Sequence, residues 1–120
     1  MTLTNLISKL ETNNLGYDIS TYNFLPARRF VSIKPIDLDY VQGTNTDHIS
    51  NANYMLRIRN KLKIKNENVS TEIEVIESLV TWLSETITPF KLISKPRFVR
   101  ELDNGAIATV GVNVSIQIPV

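Results

Sequence analysis

From Ala106 to Ile118 the chain alternates. Ala106, Ala108, Val110, Val112, Val114, Ile116 and Ile118 are apolar; Thr109, Gly111, Asn113, Ser115 and Gln117 between them are small or polar. A period of two held this long predicts a β-strand with one buried and one wetter face. No other stretch is as regular, so this strand is the expected centre against which the other elements pack.

The remaining pattern predicts two helices and three more strands. Leu3, Leu6, Ile7 and Leu10 fall at helical spacing. Thr2 or Thr4 can cap the start of that helix, and Asn13-Asn14-Leu15-Gly16 ends it. Tyr17 to Ala27 is irregular, and Pro26 argues against a long central strand there. Arg29 to Lys34 reads as a short strand with Val31 and Ile33 inward, ending at Pro35. Residues 36–52 have no period and are rich in turn formers, which predicts a long loop. Its mobile part is expected around Gly43, Thr44, Asn45, Asp47 and His48.

Tyr54 to Lys65 alternates again, with Tyr54, Leu56, Ile58, Leu62 and Ile64 on one face. Asn60 interrupts that face, which implies a bulge or a hydrogen-bonded polar group. Thr71 and Glu74 match a capping box, and Ile73, Ile76, Leu79, Val80, Leu83 and Ile87 form a helical stripe ended by Thr88-Pro89. Leu92 to Leu102 is the third strand candidate, and Pro96 within it implies an edge position or a bulge. Asp103-Asn104-Gly105 is a turn. A two-residue turn would oppose Val110 to Val99. A three-residue turn with Gly105 left-handed would oppose Val110 to Phe98 and Ala106 to Leu102. The second register gathers more apolar side chains on one face and is the expected one.

The predicted architecture is a single α+β domain over residues 1–120. An antiparallel sheet of about four strands carries two helices packed on one face, in helix–hairpin–helix–hairpin order with a long loop at 36–52. Composition agrees: 120 residues, 42% hydrophobic and 21% charged, are enough for one real core. A formal net charge of +1 disfavours a free, strongly basic nucleic-acid binder. With no cysteine, disulfides, thiol chemistry and thiolate metal sites are excluded. The first residues lack the charge and apolar run of a secretory signal, and no apolar run approaches the ~20 residues of a membrane helix. Synthesis in a cytoplasm is the expectation.

Catalytic candidates are sparse. His48 is the only histidine, has no nucleophile motif beside it and reads as a loop residue. Asp37, Asp39 and Asp47 fail the calcium-loop pattern because Val41 stands where a further ligand is needed, so they read as acids that bond local backbone. Four glycines form no phosphate-binding loop. Neither an enzyme nor a cofactor is expected. The one strong chemical signal is a basic strand face, Arg57, Arg59, Lys61, Lys63 and Lys65, a line of about 26 Å at the usual strand rise. It suits an acidic partner surface or phosphates, or it is a solvated, protected edge. The acids Glu72, Glu74 and Glu77 at the following helix start are candidates to meet it, within one chain or between chains.

The plan resembles the tail-terminator (tail-completion) proteins of tailed bacteriophages. The likeness is carried by an N-terminal helix ending near Asn14-Leu15-Gly16-Tyr17, the strand Arg29-Phe30-Val31-Ser32-Ile33, a long hairpin loop, the strand Tyr54-Met55-Leu56-Arg57-Ile58, and a closing helix and hairpin. It is a likeness of architecture and size over nearly the whole chain, without a shared motif. It implies a non-enzymatic virion protein of the tail or neck, assembled as a homo-hexameric ring. Such a ring ends tail-tube polymerisation, touches the tail tube protein and offers a surface to head-connector proteins. It implies no membrane association and no stable sequence-specific nucleic-acid binding. Two alternatives share the observations: another head–tail joining or baseplate component, and, in a different class, a small nucleic-acid-binding regulator using residues 57–65.

Overall fold

A computed structural model describes residues 3–12, 16–20, 28–43, 48–86, 91–92 and 95–120. Along the chain run α1 (Leu3–Thr12), β1 (Asp18–Ser20), β2 (Arg29–Val41), β3 (His48–Lys61), α2 (Val69–Thr86), β4 (Lys91–Leu92), β5 (Arg97–Asp103) and β6 (Ala106–Pro119). The strands form one open sheet in the order β1-β2-β3-β6, with β4 and β5 both on the outer edge of β6. The chain is therefore α+β, as its pattern predicts. One pairing departs from the antiparallel expectation: β1, in the segment read as irregular, runs parallel to β2.

The centre is where the alternation puts it. Val110, Val112, Val114, Ile116 and Ile118 of β6 are buried. In register beside them lie Leu56 and Ile58 of β3, then Val31 and Ile33 of β2. Leu6 and Leu10 of α1 and Ile76, Leu79 and Leu83 of α2 complete one continuous core on that face. Each such aliphatic side chain, fully buried, contributes about 1.5–3 kcal/mol, set against the entropy of ordering the chain. The opposite face of the sheet carries no helix among the described residues.

Four expectations are corrected. The long loop at 36–52 is instead mostly ladder: β2 continues through Pro35 to Val41, and β3 begins at His48. Pairing shifts between Pro35 and Asp37 and again between Asp39 and Tyr40. The first shift moves the apolar phase from Val31 and Ile33 to Ile36, Leu38 and Tyr40, so the alternation beyond Pro35 is out of step with the strand before it. Of the expected mobile residues, Gly43 lies two residues past the end of β2, His48 pairs with Val41, and Thr44, Asn45 and Asp47 lie outside the described residues. The hairpin reaches past the core and lengthens the molecule to 58 × 28 × 23 Å, with a radius of gyration of 16.0 Å. A compact chain of this length would give about 14 Å.

Second, β3 stops at Lys61 rather than Lys65. The Leu62 N–H donates to the Ala108 carbonyl and the Asn66 N–H to the Ile107 carbonyl, while Asn66 adopts φ 64°. These bonds turn the chain away from the sheet. Third, α2 begins at Val69, two residues before the capping-box threonine, with the Glu72 N–H bonded to the Asn68 carbonyl. Fourth, the closing hairpin uses a two-residue turn. Asn104 and Gly105 both have positive φ, 50° and 80°, the signature of a type I′ turn, and Asp103 opposes Ala106. A shift beyond Leu102 then opposes Phe98 to Val112 and Arg100 to Val110. Neither simple register anticipates this, because the bulge moves the pairing by one residue after the turn has set it. The interruption at Pro96 does separate β4 from β5 on the sheet edge.

Val112→Asp is expected to unfold the domain or nearly so, since an unpaired buried carboxylate costs several kcal/mol against a total stability of about 5–15 kcal/mol. Asn113→Asp, one residue on and facing the other way, should shift the melting temperature little. Gly111→Ala should cost at least ~2 kcal/mol, because a Cβ there would run into the Ile58 carbonyl oxygen and lie 2.8 Å from Arg59 Cδ. Thermal melts followed by circular dichroism check all three, and similar losses at 112 and 113 would contradict the face assignment.

Candidate interaction surfaces

The residues expected to form an interface do not form one continuous line. Arg57 is half-buried on the helix-free face, and Arg59 beside it is buried. The Arg59 guanidinium lies across β6 over Gly111. Its Nη1 donates to the Ile58 carbonyl at 2.9 Å and the Val112 carbonyl at 3.3 Å, and Nη2 donates to Asn113 Oδ1 at 2.9 Å. Nε stands 3.5 Å from Glu101 of β5. Burial pulls the Arg59 guanidinium below its ordinary pKa, the Glu101 charge opposing that shift. Arg59 is thus an internal brace across three strands. Lys61 is exposed with its ammonium 5.6 Å from the Phe30 ring centroid. Lys63 and Lys65 lie in the loop beyond β3, and Lys65 pairs with Asp103 at 2.6 Å. That exposed pair is worth about 1 kcal/mol or less.

The acids divide in the same way. Glu74 and Glu77 are exposed on α2, but Glu72 is 1% exposed and belongs to the interior. Both Arg28 and Arg29 bond its carboxylate, Arg29 through Nε at 3.1 Å and Nη2 at 3.2 Å. Asn60 Nδ2 donates to it at 2.8 Å, and the Tyr17 hydroxyl donates to Asn60 Oδ1 at 2.6 Å. The interruption at Asn60 is therefore a hydrogen-bonded polar group. The sequence held a signal for this cluster: Glu72 is four residues before Ile76 and seven before Leu79, in phase with the buried stripe. Burial alone would raise the Glu72 pKa; hydrogen bonds from Arg29 and Asn60 and the charges of Arg29 and Arg28 outweigh it and hold the carboxyl below its ordinary value. Burial pushes the Tyr17 hydroxyl up to about 12.

Two surfaces of opposite charge are open to a partner. On the helix-free face a groove of about 540 Å³ runs along β6 between β3 and β5, bordered by Met55, Lys95, Arg97 and Val99 over Asn113 and Ser115. Arg57, Asn113 and Arg97 stand in one row across the three strands. On the outer side of α2, Glu74, Glu77, Ser78, Thr81, Trp82 and Glu85 line a shallow depression of about 550 Å³. At the hairpin base, Asn53 Nδ2 donates to Asp37 at 2.6 Å and to Asp39 at 2.9 Å, and Gln117 Nε2 donates to Asp39 at 2.7 Å. Asp37 and Asp39 thus bond side-chain amides rather than the local backbone alone. Among the described residues no group of three or more His, Asp or Glu converges as metal ligands would. His48 is exposed at the start of β3. No known protein family matches the chain, and no curated protein matches its sequence.

The low Glu72 pKa fixes the sign of a pH effect. Its contribution to stability is fully present above the unfolded-state value of about 4.3 and is lost as pH falls through the lower folded value. Acid titration of the wild type, followed by urea melts, should show this loss. Glu72→Gln should flatten the acid limb, and should cost on the order of 3 kcal/mol at pH 7 by stranding two arginines. A variant as acid-sensitive as the wild type would contradict the assignment.

Proposed function

We propose that the chain is a structural subunit of a tailed-phage virion, a tail-terminator protein working as a hexameric ring between tail tube and head connector. The observation that carries this reading is the β2–β3 hairpin. It projects beyond the core and exposes Leu38 and Tyr40, each 58% accessible, and Ile36 at 47%. Clustered exposed apolar side chains on an isolated subunit are surfaces that assembly covers. The order of two helix-plus-hairpin units supports the same reading. So does the location of the polar chemistry, which sits in structural braces and open surfaces.

In this role the work is geometric. A ring of identical subunits needs two different, mutually fitting surfaces on each copy. Projecting hairpins provide a second set of contacts along the ring axis, where the tube protein and the connector would be met. The cations of the helix-free face favour a second reading, a nucleic-acid-binding regulator, which predicts affinity falling steeply with salt.

Deleting the coding sequence from its phage decides between the readings. A tail terminator's loss should leave tubes of uncontrolled length that fail to join heads, seen by electron microscopy. Tails of normal length lying apart from heads would favour a joining protein acting later. Normal virions with altered transcription would favour the regulator.

A further inference from the structure

The outer face of α2 and the groove on the helix-free face lie on opposite sides of the two-layer domain and carry opposite charge. The α2 face presents Glu74, Glu77 and Glu85 around Trp82. The groove is walled by Lys95 and Arg97 on one side and flanked by Arg57 on the other. We propose that the α2 outer face of one copy docks in the β6 groove of a second copy. This contact would be the repeating joint of the ring proposed above, and it rests on that reading only for closure of the assembly.

Shape supports it as well as charge. The side chains of β6 that form the groove floor are small: Asn113 and Ser115. The walls, β3 and β5, are two strand spacings apart, about 10 Å between backbones, so a helix about 10–12 Å across lies over the groove and only its outward side chains enter it. From Glu74 to Glu85 the helix rises about 16 Å. The β5 wall from Arg97 to Val99 spans about 7 Å, with Lys95 just before it. The indole of Trp82 among carboxylates is a receptor for a guanidinium, which it can stack upon while the acids accept its N–H groups. Arg97, exposed at the β5 edge, is the cation best placed to enter it. Tryptophan paired with arginine is the usual composition of an interface centre. Contact between two different faces is head-to-tail, so it closes into a ring or runs on as a fibre according to the rotation between neighbours.

Charge reversal with complementation tests the pairing. Lys95→Glu/Arg97→Glu places acids in the groove, and Glu74→Lys/Glu77→Lys places cations on the helix. All four positions are exposed, so both variants should fold, as circular dichroism will report. By sedimentation velocity the wild type should associate, more weakly at high salt. Each variant alone should associate at least about tenfold more weakly, since like charges then face each other. An equimolar mixture should regain wild-type association, because each groove then meets an opposite helix. A monomeric wild type, a folded variant with unchanged association, or a mixture that stays dissociated would overturn the proposal. Open fibres, with restoration in the mixture, would keep this contact and refute the ring. Loss of salt-dependent DNA binding by the groove variant, with its association unchanged, would give the groove to nucleic acid instead.

Discussion

The architecture depends on the buried carboxylate of Glu72. A two-layer domain needs its helix fixed in rotation and in position along the sheet, and aliphatic packing alone is tolerant of both. Glu72 removes that freedom. It joins the first turn of α2 to Arg28 and Arg29 at the start of β2, and to Asn60 near the end of β3. Tyr17, just before β1, is tied to the same group through Asn60. Helix rotation decides which residues face out. With Glu72 held inward, Ile76, Leu79 and Leu83 follow into the core, and Glu74, Glu77 and Glu85 are turned to the surface.

Arg59 does the corresponding work on the other side of the sheet. Its guanidinium occupies the space that Gly111 leaves, bonds two backbone carbonyls and Asn113, and reaches the β5 acid Glu101. The two charged braces are consequently on opposite faces, one under the helix and one on the helix-free side. Both consume charges that would otherwise be available to partners. What remains outside is smaller and differently placed than a basic strand: Lys95 and Arg97 along a groove, and three glutamates on the far side of α2.

Much of this was legible in the sequence, and the failures have physical causes. The period of two in β6 fixed the buried face, and the helical stripe fixed the inner side of α2. Asn60 announced a buried polar partner. The arm was not read as strand because the alternation of Ile36, Leu38 and Tyr40 is out of phase with Val31 and Ile33 across the bulge at Ile36, the bulge near Ser50 breaks it on the return strand, and aspartates and asparagines are poor strand formers. The registry of β5 was missed because the type I′ turn and the bulge each move the pairing by one residue in the same direction, bringing Arg100 rather than Phe98 opposite Val110. The candidate interface was only partly visible. Alternation gave Arg57 and Arg59 the same face, but it does not report that Arg59 lies flat over Gly111, its pairing partner on the neighbouring strand β6. Arg97 reaches that face from a strand some forty residues downstream, with Lys95 just ahead of it, by a pairing that local pattern cannot supply.

The absence of cysteine makes the central claim directly measurable. A chain carrying Glu77→Cys and Arg97→Cys has its two thiols on opposite sides of one subunit, beyond the Cα separation of about 7 Å that a disulfide can span. Mild oxidation should therefore link copies in series, giving a ladder that ends at a closed species of fixed mass, while the Glu77→Cys and Arg97→Cys single variants give no ladder. If the double variant stays unlinked under oxidation, with both thiols shown to be reactive, the head-to-tail account of this protein is wrong.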